Sequence, residues 1–343
     1  NSETCYIRVS DANSYDDCFG VSEEFSIRPN ITVSAPAANT KIRVDSSYTN
    51  AVQWDSHGST KITKFNVLYS TTGSGGSFTN VIATNLLPTA QQCDWNSVSN
   101  TMSNNVVIRV FDSINLNAFG ESGVFQIVGN LTNLSPNGNE NWEVNATNRN
   151  ITWLCKGSLG NVNIYVDYGS GYDPTPLVTL AGSAQTWNWN PIPDHISNAV
   201  RIKVADADDE AVTFVESAAV FHIVGAFTFL TPVGGTLVTG DPDYDITWTR
   251  SGAGINNVKI DFYNGSGWVP LQANYSNSGL YTWPIPGTTA ADNCKIRLTA
   301  SDPVQPATEK ESATFKIRGK IAVTAPLAGA PWTVGVANDI VFN

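Results

Sequence analysis

The run Ile-basic-Val/Leu occurs four times in the chain: YIRV at Ile7 and Arg8, VIRV at Ile108 and Arg109, RIKV at Ile202 and Lys203, and KIRL at Ile296 and Arg297. The step from Ile108 to Ile202 is 94 residues, and from Ile202 to Ile296 it is 94 again. Other landmarks recur in the same order at similar steps of about 94 to 100 residues. An early tryptophan recurs as Trp54, Trp153 and Trp248, with Phe342 at the equivalent point near the end. A later one recurs as Trp95, Trp189 and Trp283. Each period closes on Phe-x-Ile, at Phe25, Phe125, Phe221 and Phe315, and reopens on a short apolar run ending in Pro36, Pro136, Pro232 or Pro326. Self-similarity at a fixed period marks an array of repeated folding units, and it restricts the fold more than any composition figure. Breaks near Pro29, Gly129, Gly225 and Gly319 divide the chain into the end of one module (1–29), three complete modules (30–129, 130–225 and 226–319) and the beginning of another (320–343).

Residues 226–319 show what one period folds into. AFTFLTP is a strand stopped at Pro232, because proline has no N–H for a continuing ladder. YDITW places Ile246 and Trp248 on one face, and NNVKIDFY places Val258, Ile260 and Phe262 on one face before turning through NGSG. GWVPLQA, GLYTW, CKIRLTA and SATFKIRG complete the set. About seven short strands, with turn signals every ~8–12 residues, predict an all-β antiparallel seven-stranded sandwich, and the period predicts a linear array of them. The predicted core is Trp54, Trp153, Trp248, Trp95, Trp189, Trp283, Ile108, Ile202, Ile296, Phe125, Phe221 and Phe315. The intervening Lys259, Arg297 and Lys316 are expected to face water.

These features resemble the immunoglobulin-like and fibronectin type III-like superfamily, in the ITW tryptophan and in the late hairpin YIRVSDAN…GVSEEF. More narrowly, ITW…NVKIDFY…YTWPIP…KIRL…ESATFKI resembles the Ig-like repeats of large bacterial cell-surface proteins. It is also similar to the N-terminal domain of the yeast cell-wall synthesis, Ser-Thr-rich GPI-anchored family. The motifs involved are structural, so the resemblance implies a fold and an extracellular or cell-surface location rather than a reactive site. The second module departs in doubling its late tryptophan (Trp187 and Trp189), and the first in its longer turn YSTTGSGGSF.

Composition excludes several functions. Hydrophobic residues make up 41% and charged residues 14%, the balance of a folded, turn-rich β-protein rather than a disordered chain or coiled coil. A net charge of −11, from 19 basic and 30 acidic residues, lacks the basic face that phosphate backbones require, so nucleic acid is not an expected partner. No apolar run is long enough to insert in a bilayer. The chain starts at Asn1 without a signal-peptide pattern, as a trimmed or internal segment would. Five cysteines cannot all pair; Cys93, Cys155 and Cys294 stand alone in their modules, and Cys5 with Cys18 is the one conceivable bridge.

No residue constellation signals catalysis, and neither a cofactor nor an enzyme activity is expected. His57, His195 and His222 occupy unrelated positions, whereas metal or triad chemistry needs converging groups. DPDYD (Asp241, Asp243, Asp245) has the first spacings of a calcium loop but lacks its glycine and distal glutamate, and DADDE (Asp206, Asp208, Asp209, Glu210) does not recur. Both read as solvated acidic turns, with Ca²⁺ as the alternative. Trp268, Tyr172 and Phe78 each follow a Gly-rich turn; strand-start packing is the first reading, and stacking on glycans the second. Asn-x-Ser/Thr sequons begin at Asn30, Asn130, Asn133, Asn145, Asn150, Asn264 and Asn274.

The joins FQIVG-NLTNLSP, FHIVG-AFTFLTP and FKIRG-KIAVTAP leave essentially no linker, which predicts a stiff rod with modules roughly ~35–45 Å long. The expected function is a structural segment of a long extracellular filament, stalk or surface protein. An adhesin array is the alternative, and spacer modules of an extracellular enzyme a third. Expected partners are neighbouring modules of a longer chain, and copies of itself in a filament. The opening CYIRVSDANSYDDCFGVSEEFSI aligns with residues 294–317 and the tail supplies first strands, but positions equivalent to 250–289 belong to neither end. Head and tail do not sum to a module, and the segment reads as a window on a longer repetitive chain.

Overall fold

The computed structural model describes residues 2–13, 15–58, 61–239, 243–287, 289–302 and 308–342. At the head, β1 (Ser2–Cys5), β2 (Arg8–Ser10), β3 (Phe19–Val21) and β4 (Phe25–Ile27) form one interrupted hairpin, with β1 against β4 and β2 against β3. The first complete module follows as β5 (Asn30–Ala35), β6 (Lys41–Arg43), β7 (Tyr48–His57), β8 (Phe65–Ser70), β9 (Asn80–Leu86), β10 (Gln92–Trp95), β11 (Ser103–Asp112), β12 (Phe119–Glu121) and β13 (Phe125–Val128).

Two sheets face each other. One has the order β10-β7-β5, the other β6-β13-β11-β8-β9, with β12 also paired to β11. The second and third modules repeat this arrangement strand for strand. β5 and β6 are one opening strand divided by Pro36, and β12 and β13 are one closing strand divided at Ser122, so each module has seven strands in nine segments. The peptides before Pro36, Pro136, Pro232 and Pro326 are cis. Past the proline the chain crosses to the second sheet, where β6 runs parallel to β13 with Ile42 opposite Ile127. The equivalent parallel pairs are Trp142 with Ile223 and Leu237 with Ile317.

The break in the closing strand is held by the serine of a recurring Glu-Ser-small triplet, ESG, ESA and ESA in the three modules. The Ile108 amide donates to Ser122 Oγ at 3.0 Å, and the Ser122 amide donates to the Ile108 carbonyl at 2.9 Å. Ser217 does the same for Ile202, Ser312 for Ile296, and Ser22 for Ile7 in the head. In each case the hydroxyl stands where a ladder carbonyl has swung away. In the three complete modules the isoleucine amide is buried, and the serine avoids an orphan costing about 1–3 kcal/mol.

All twelve aromatic and isoleucine residues named for the core are buried between the sheets. Their rings meet each other and further buried rings in angled pairs such as Trp95 with Phe125 (6.3 Å between ring centroids), Trp142 with Phe221 (5.0 Å) and Phe262 with Trp283 (4.7 Å). The ends differ. Ile7, Val9, Phe25 and Ile27, equivalent to buried Ile108, Val110, Phe125 and Ile127, are exposed, as are Trp332, Val334 and Phe342 in the tail. The tail forms one short pairing, Val323–Ala325 with Val341–Phe342.

The hairpin register removes the Cys5–Cys18 bridge. Cys5 lies opposite Phe25, while the Asp11 amide bonds to the Cys18 carbonyl at the far end. That leaves the two roughly six ladder positions apart, about 20 Å at the usual rise, against the ~7 Å limit for a disulfide. All five thiols are free.

Candidate functional site

The positions at which the modules act on one another are the joints. At the first two joins a single glycine separates closing and opening strands: Gly129 between Val128 and Asn130, and Gly225 between Val224 and Ala226. Neither has room for a side chain. A Cβ on Gly129 would lie 2.3 Å from Leu159 Cδ2, and one on Gly225 would lie 2.1 Å from Ile255 Cδ1. Leu159 and Ile255 belong to the module that follows, so an apolar side chain of each new module closes over the glycine that enters it.

A second apolar group crosses in the opposite direction. Met102, from the loop before β11, packs against the cores of the first and second modules together. Ile196, 94 residues later, packs against the cores of the second and third. Each rests on a glycine in the left-handed region that only glycine adopts freely: Gly157 (φ 85°) and Gly252 (φ 114°). A Cβ on either would come within 2.8 Å of the Met102 sulfur or Ile196 Cδ1. Beside this plug, the Gly157 amide donates to Asn100 Oδ1 at 2.6 Å, and the Ala253 amide donates to Asp194 Oδ1 at 2.7 Å. Asn100 and Asp194 are again 94 residues apart.

The first of these joints carries further contacts. Lys41 Nζ meets Asp209 Oδ2 at 2.7 Å, and the Arg43 guanidinium donates to the Val212 carbonyl at 2.6 Å. In the reverse sense, Lys156 of the second module meets Asp45 of the first at 3.4 Å. Asn130 Nδ2 donates to the Val44 carbonyl and to Ser46 Oγ, each at 3.2 Å. Lys41 and Asp209 border a cleft of about 340 Å³ that is lined also by Met102, Gln126, Asp206 and Asp208. Burial raises the Asp206 carboxyl above its ordinary range, with Asp208 and Asp209 adding to the shift; the Asp208 amide and Lys41 oppose it. At the second joint, Asn141, Asn145 and Ser251 occupy the positions of Lys41, Asp45 and Lys156. Gly225 there donates its amide to Thr308 Oγ1 at 3.2 Å.

The outer faces carry a second repeated feature. The basic residue of each Ile-basic-Val run lies against aromatic rings: Arg8 on Tyr15 and Phe19, Arg109 on Phe78 (3.8 Å) and Phe119 (4.5 Å), Lys203 on Tyr165 and Phe214, and Arg297 on Trp268 (4.1 Å). Arg109 is also paired with Glu121 at 2.5 Å, and Arg297 with buried Asp261 at 3.0 Å. Arg297 points away from the core as expected, yet Trp268 and Asp261 cover it and only a quarter of its side chain reaches solvent. Lys259 and Lys316 are more exposed. Phe78 and Trp268 therefore each have one ring face occupied by a guanidinium. Tyr172 sits differently: its hydroxyl is buried, and burial raises its pKa, with the nearby Glu216 and Asp167 carboxylates contributing.

The remaining candidates do not converge. Asp241 lies outside the described residues. Asp243 and Asp245 are exposed, and Asp245 accepts a bond from Thr282 at 2.7 Å. Asp206 and Asp208 face the cleft at the first joint; among the described residues no three acidic, histidine or cysteine side chains are placed to share a metal ion. Glu210 instead accepts from Tyr165 (2.5 Å) and Asn163 (2.6 Å). His57 is 3.7 Å from Asp55, His195 stacks on Tyr168, and His222 bonds to the Asn198 carbonyl. Burial pushes the Cys93 thiol up to about 11, and raises Cys155 and Cys294 as well, so these are packing thiols rather than nucleophiles. Of the sequons, Asn130 is committed to the joint and Asn264 to its own turn, while Asn133 and Asn145 are exposed.

The strand order and the paired sheets define a tandem array of immunoglobulin-like, fibronectin III-like β-sandwiches. No protein-family model matches the sequence, and no curated protein does. Among solved structures, the chain is similar to the fibronectin(III)-like modules of Clostridium thermocellum CbhA (17% identity over 55% of this chain and 94% of that one, TM-score 0.21). It is also similar to extracellular domains 3–5 of Drosophila OTK (10% identity, 84% and 97% covered, TM-score 0.31). A third likeness is to a tetra-tandem repeat in the extending region of a large adhesion protein (14% identity, 87% and 77% covered, TM-score 0.23). Among the described residues, no helix is long and apolar enough to cross a membrane.

Proposed function

We propose that this chain is a non-catalytic, structural segment of a long extracellular or cell-surface protein, in which the modules form a stiff rod. The observation that carries the reading is the repetition, at both complete joints, of glycine, crossing apolar plug and side-chain cap. A freely swivelling array has no use for a methionine or isoleucine shared between two cores, since rotation about the join would expose it to water. Stability in such arrays is a sum of module and nearest-neighbour terms, and these joints supply the neighbour term. Small-angle X-ray scattering of the chain tests the proposal. A cross-section of one sandwich and a length of three or more modules is the expected result; a compact particle, or a profile that fits only freely jointed modules, would refute it.

A further inference from the structure

The stiff-array reading treats the joints as equivalent, but their charges are not. In the first joint, Lys41 and Arg43 of module one reach into the loop of module two that carries Asp206, Asp208 and Asp209. Elsewhere in the same joint the direction is reversed, with Lys156 of module two against Asp45 of module one. Cations thus cross the joint in both directions, at two separate places. At the second joint the corresponding positions hold Asn141, Glu143, Asn145 and Ser251, so neither ion pair can form there.

We infer that the first joint is an ionic clamp. Lys41 and Arg43 hold Asp209 and the Val212 carbonyl, Lys156 holds Asp45, and salt releases the joint to the mobility set by its apolar plug alone. Among the described residues the second joint has no ion pair between modules, only hydrogen bonds such as that from the Ala253 amide to Asp194, so its mobility responds much less to salt. The inference rests on the stiff-array reading and assigns its regulation. A single half-exposed ion pair contributes little, because solvent screens it and two long side chains must be ordered. Here three contacts from two separate places act across one joint. None is fully buried: Lys41 and Asp209 keep 32% and 25% of their side chains exposed, and Lys156 and Asp45 keep 48% and 36%. Mobile ions reach all of them. The screening length falls from about 30 Å at ~0.01 M salt to about 3 Å at ~1 M, comparable to the contacts themselves.

The test uses the full chain with Cys5, Cys18 and Cys155 changed to serine. Spin labels are placed at exposed Leu87→Cys, Leu177→Cys and Val269→Cys, taken in pairs across each joint. Pulsed dipolar spectroscopy then reads the width of each distance distribution. Between ~0.01 M and ~1 M salt the first-joint width is expected to grow about twofold while the second changes by much less. Lys41→Gln with Arg43→Gln should give a wider distribution already at low salt, with each module still melting cooperatively at ~1 M salt at the temperature of the parent as the check on folding. A first-joint width that ignores salt, or that these substitutions leave narrow, overturns the clamp while the stiff array stands. Equal widening at both joints overturns the assignment to these residues. Two joints wide at every salt concentration overturn the stiff array and the clamp with it.

Discussion

The two complete joints place glycine, crossing plug and cap acceptor at the same points of the fold, the capped amide shifting by one residue from Gly157 to Ala253, and they differ in the polar contacts around those points. The first uses Met102 and Asn100 and surrounds them with Lys41, Arg43, Lys156 and Asn130. The second uses Ile196 and Asp194, and adds the bond from the Gly225 amide to Thr308. What the two share follows from geometry: a strand that ends one residue before the next begins brings two cores together, and a partly buried apolar side chain packs against both. What they do not share is free to vary, because solvated polar contacts leave the path of the backbone unchanged.

That comparison can be broken or sharpened by substitution, and the largest effect belongs to the shared plug. Met102→Ala and Ile196→Ala are each expected to cost roughly 2 kcal/mol, toward the low end of large-to-small changes because both side chains are only partly buried. The informative readout is where the loss falls. Hydrogen exchange should accelerate in Asn150–Lys156 for Met102→Ala and in Tyr244–Ser251 for Ile196→Ala, in addition to the host module. A loss confined to the host module would show that the plug does not couple neighbours.

Removal of the caps comes next. Asp194→Ala takes a charged acceptor from the Ala253 amide and should cost about 1.5–3 kcal/mol, against about 0.5–1.5 for Asn100→Ala, where the acceptor is neutral. Equal losses, measured by denaturant melting at matched salt, would mean that the cap's charge contributes nothing.

Asp206 supplies a pH dependence peculiar to the first joint. Its folded pKa is raised, mainly by burial, so the neutral form is favoured in the fold. The associated stability is complete below the unfolded value near ~3.9 and is lost as pH rises through the raised folded value. Asp206→Asn keeps the acceptor for the Asp208 amide and removes the charge. It should raise the second module's Tm at pH 7 by on the order of 1–3 °C and have no effect near pH 3. A lower Tm at pH 7 would reverse the sign of this account. The smallest effect is expected from Lys41→Met, a loss of about 0.2–1 kcal/mol at low salt that vanishes near ~1 M.

The sandwich was legible because burial between two sheets imposes a period of two on each strand, and the array imposes its own period on the chain. Trp54, Trp153 and Trp248 are therefore visible without coordinates. The joints were legible only as locations. Gly129 and Gly225 were recognisable as boundaries, but the reason for glycine is a side chain about 30 residues further on, Leu159 or Ile255. Met102 and Ile196 share a position but not a residue type, and Asn100 and Asp194 resemble any other loop residues; the 94-residue spacing was the one signal that could have singled them out. The bulge serines were plain in ESG, ESA and ESA, yet serine is too common in this chain to stand out. Arg297 was expected in water because alternation reports which side of a sheet a residue takes, not whether a ring from another strand of the same sheet covers it.

The parallel strand pairs decide how such a chain would carry tension. In each module the second segment of the opening strand lies parallel to the end of the closing strand, as Lys41–Arg43 lies beside Gln126–Val128. Tension enters near the start of the first and leaves at the end of the second, so it drags the two strands in opposite directions along their length. Their hydrogen bonds must then fail together in shear instead of peeling one at a time, and the same geometry recurs in all three modules.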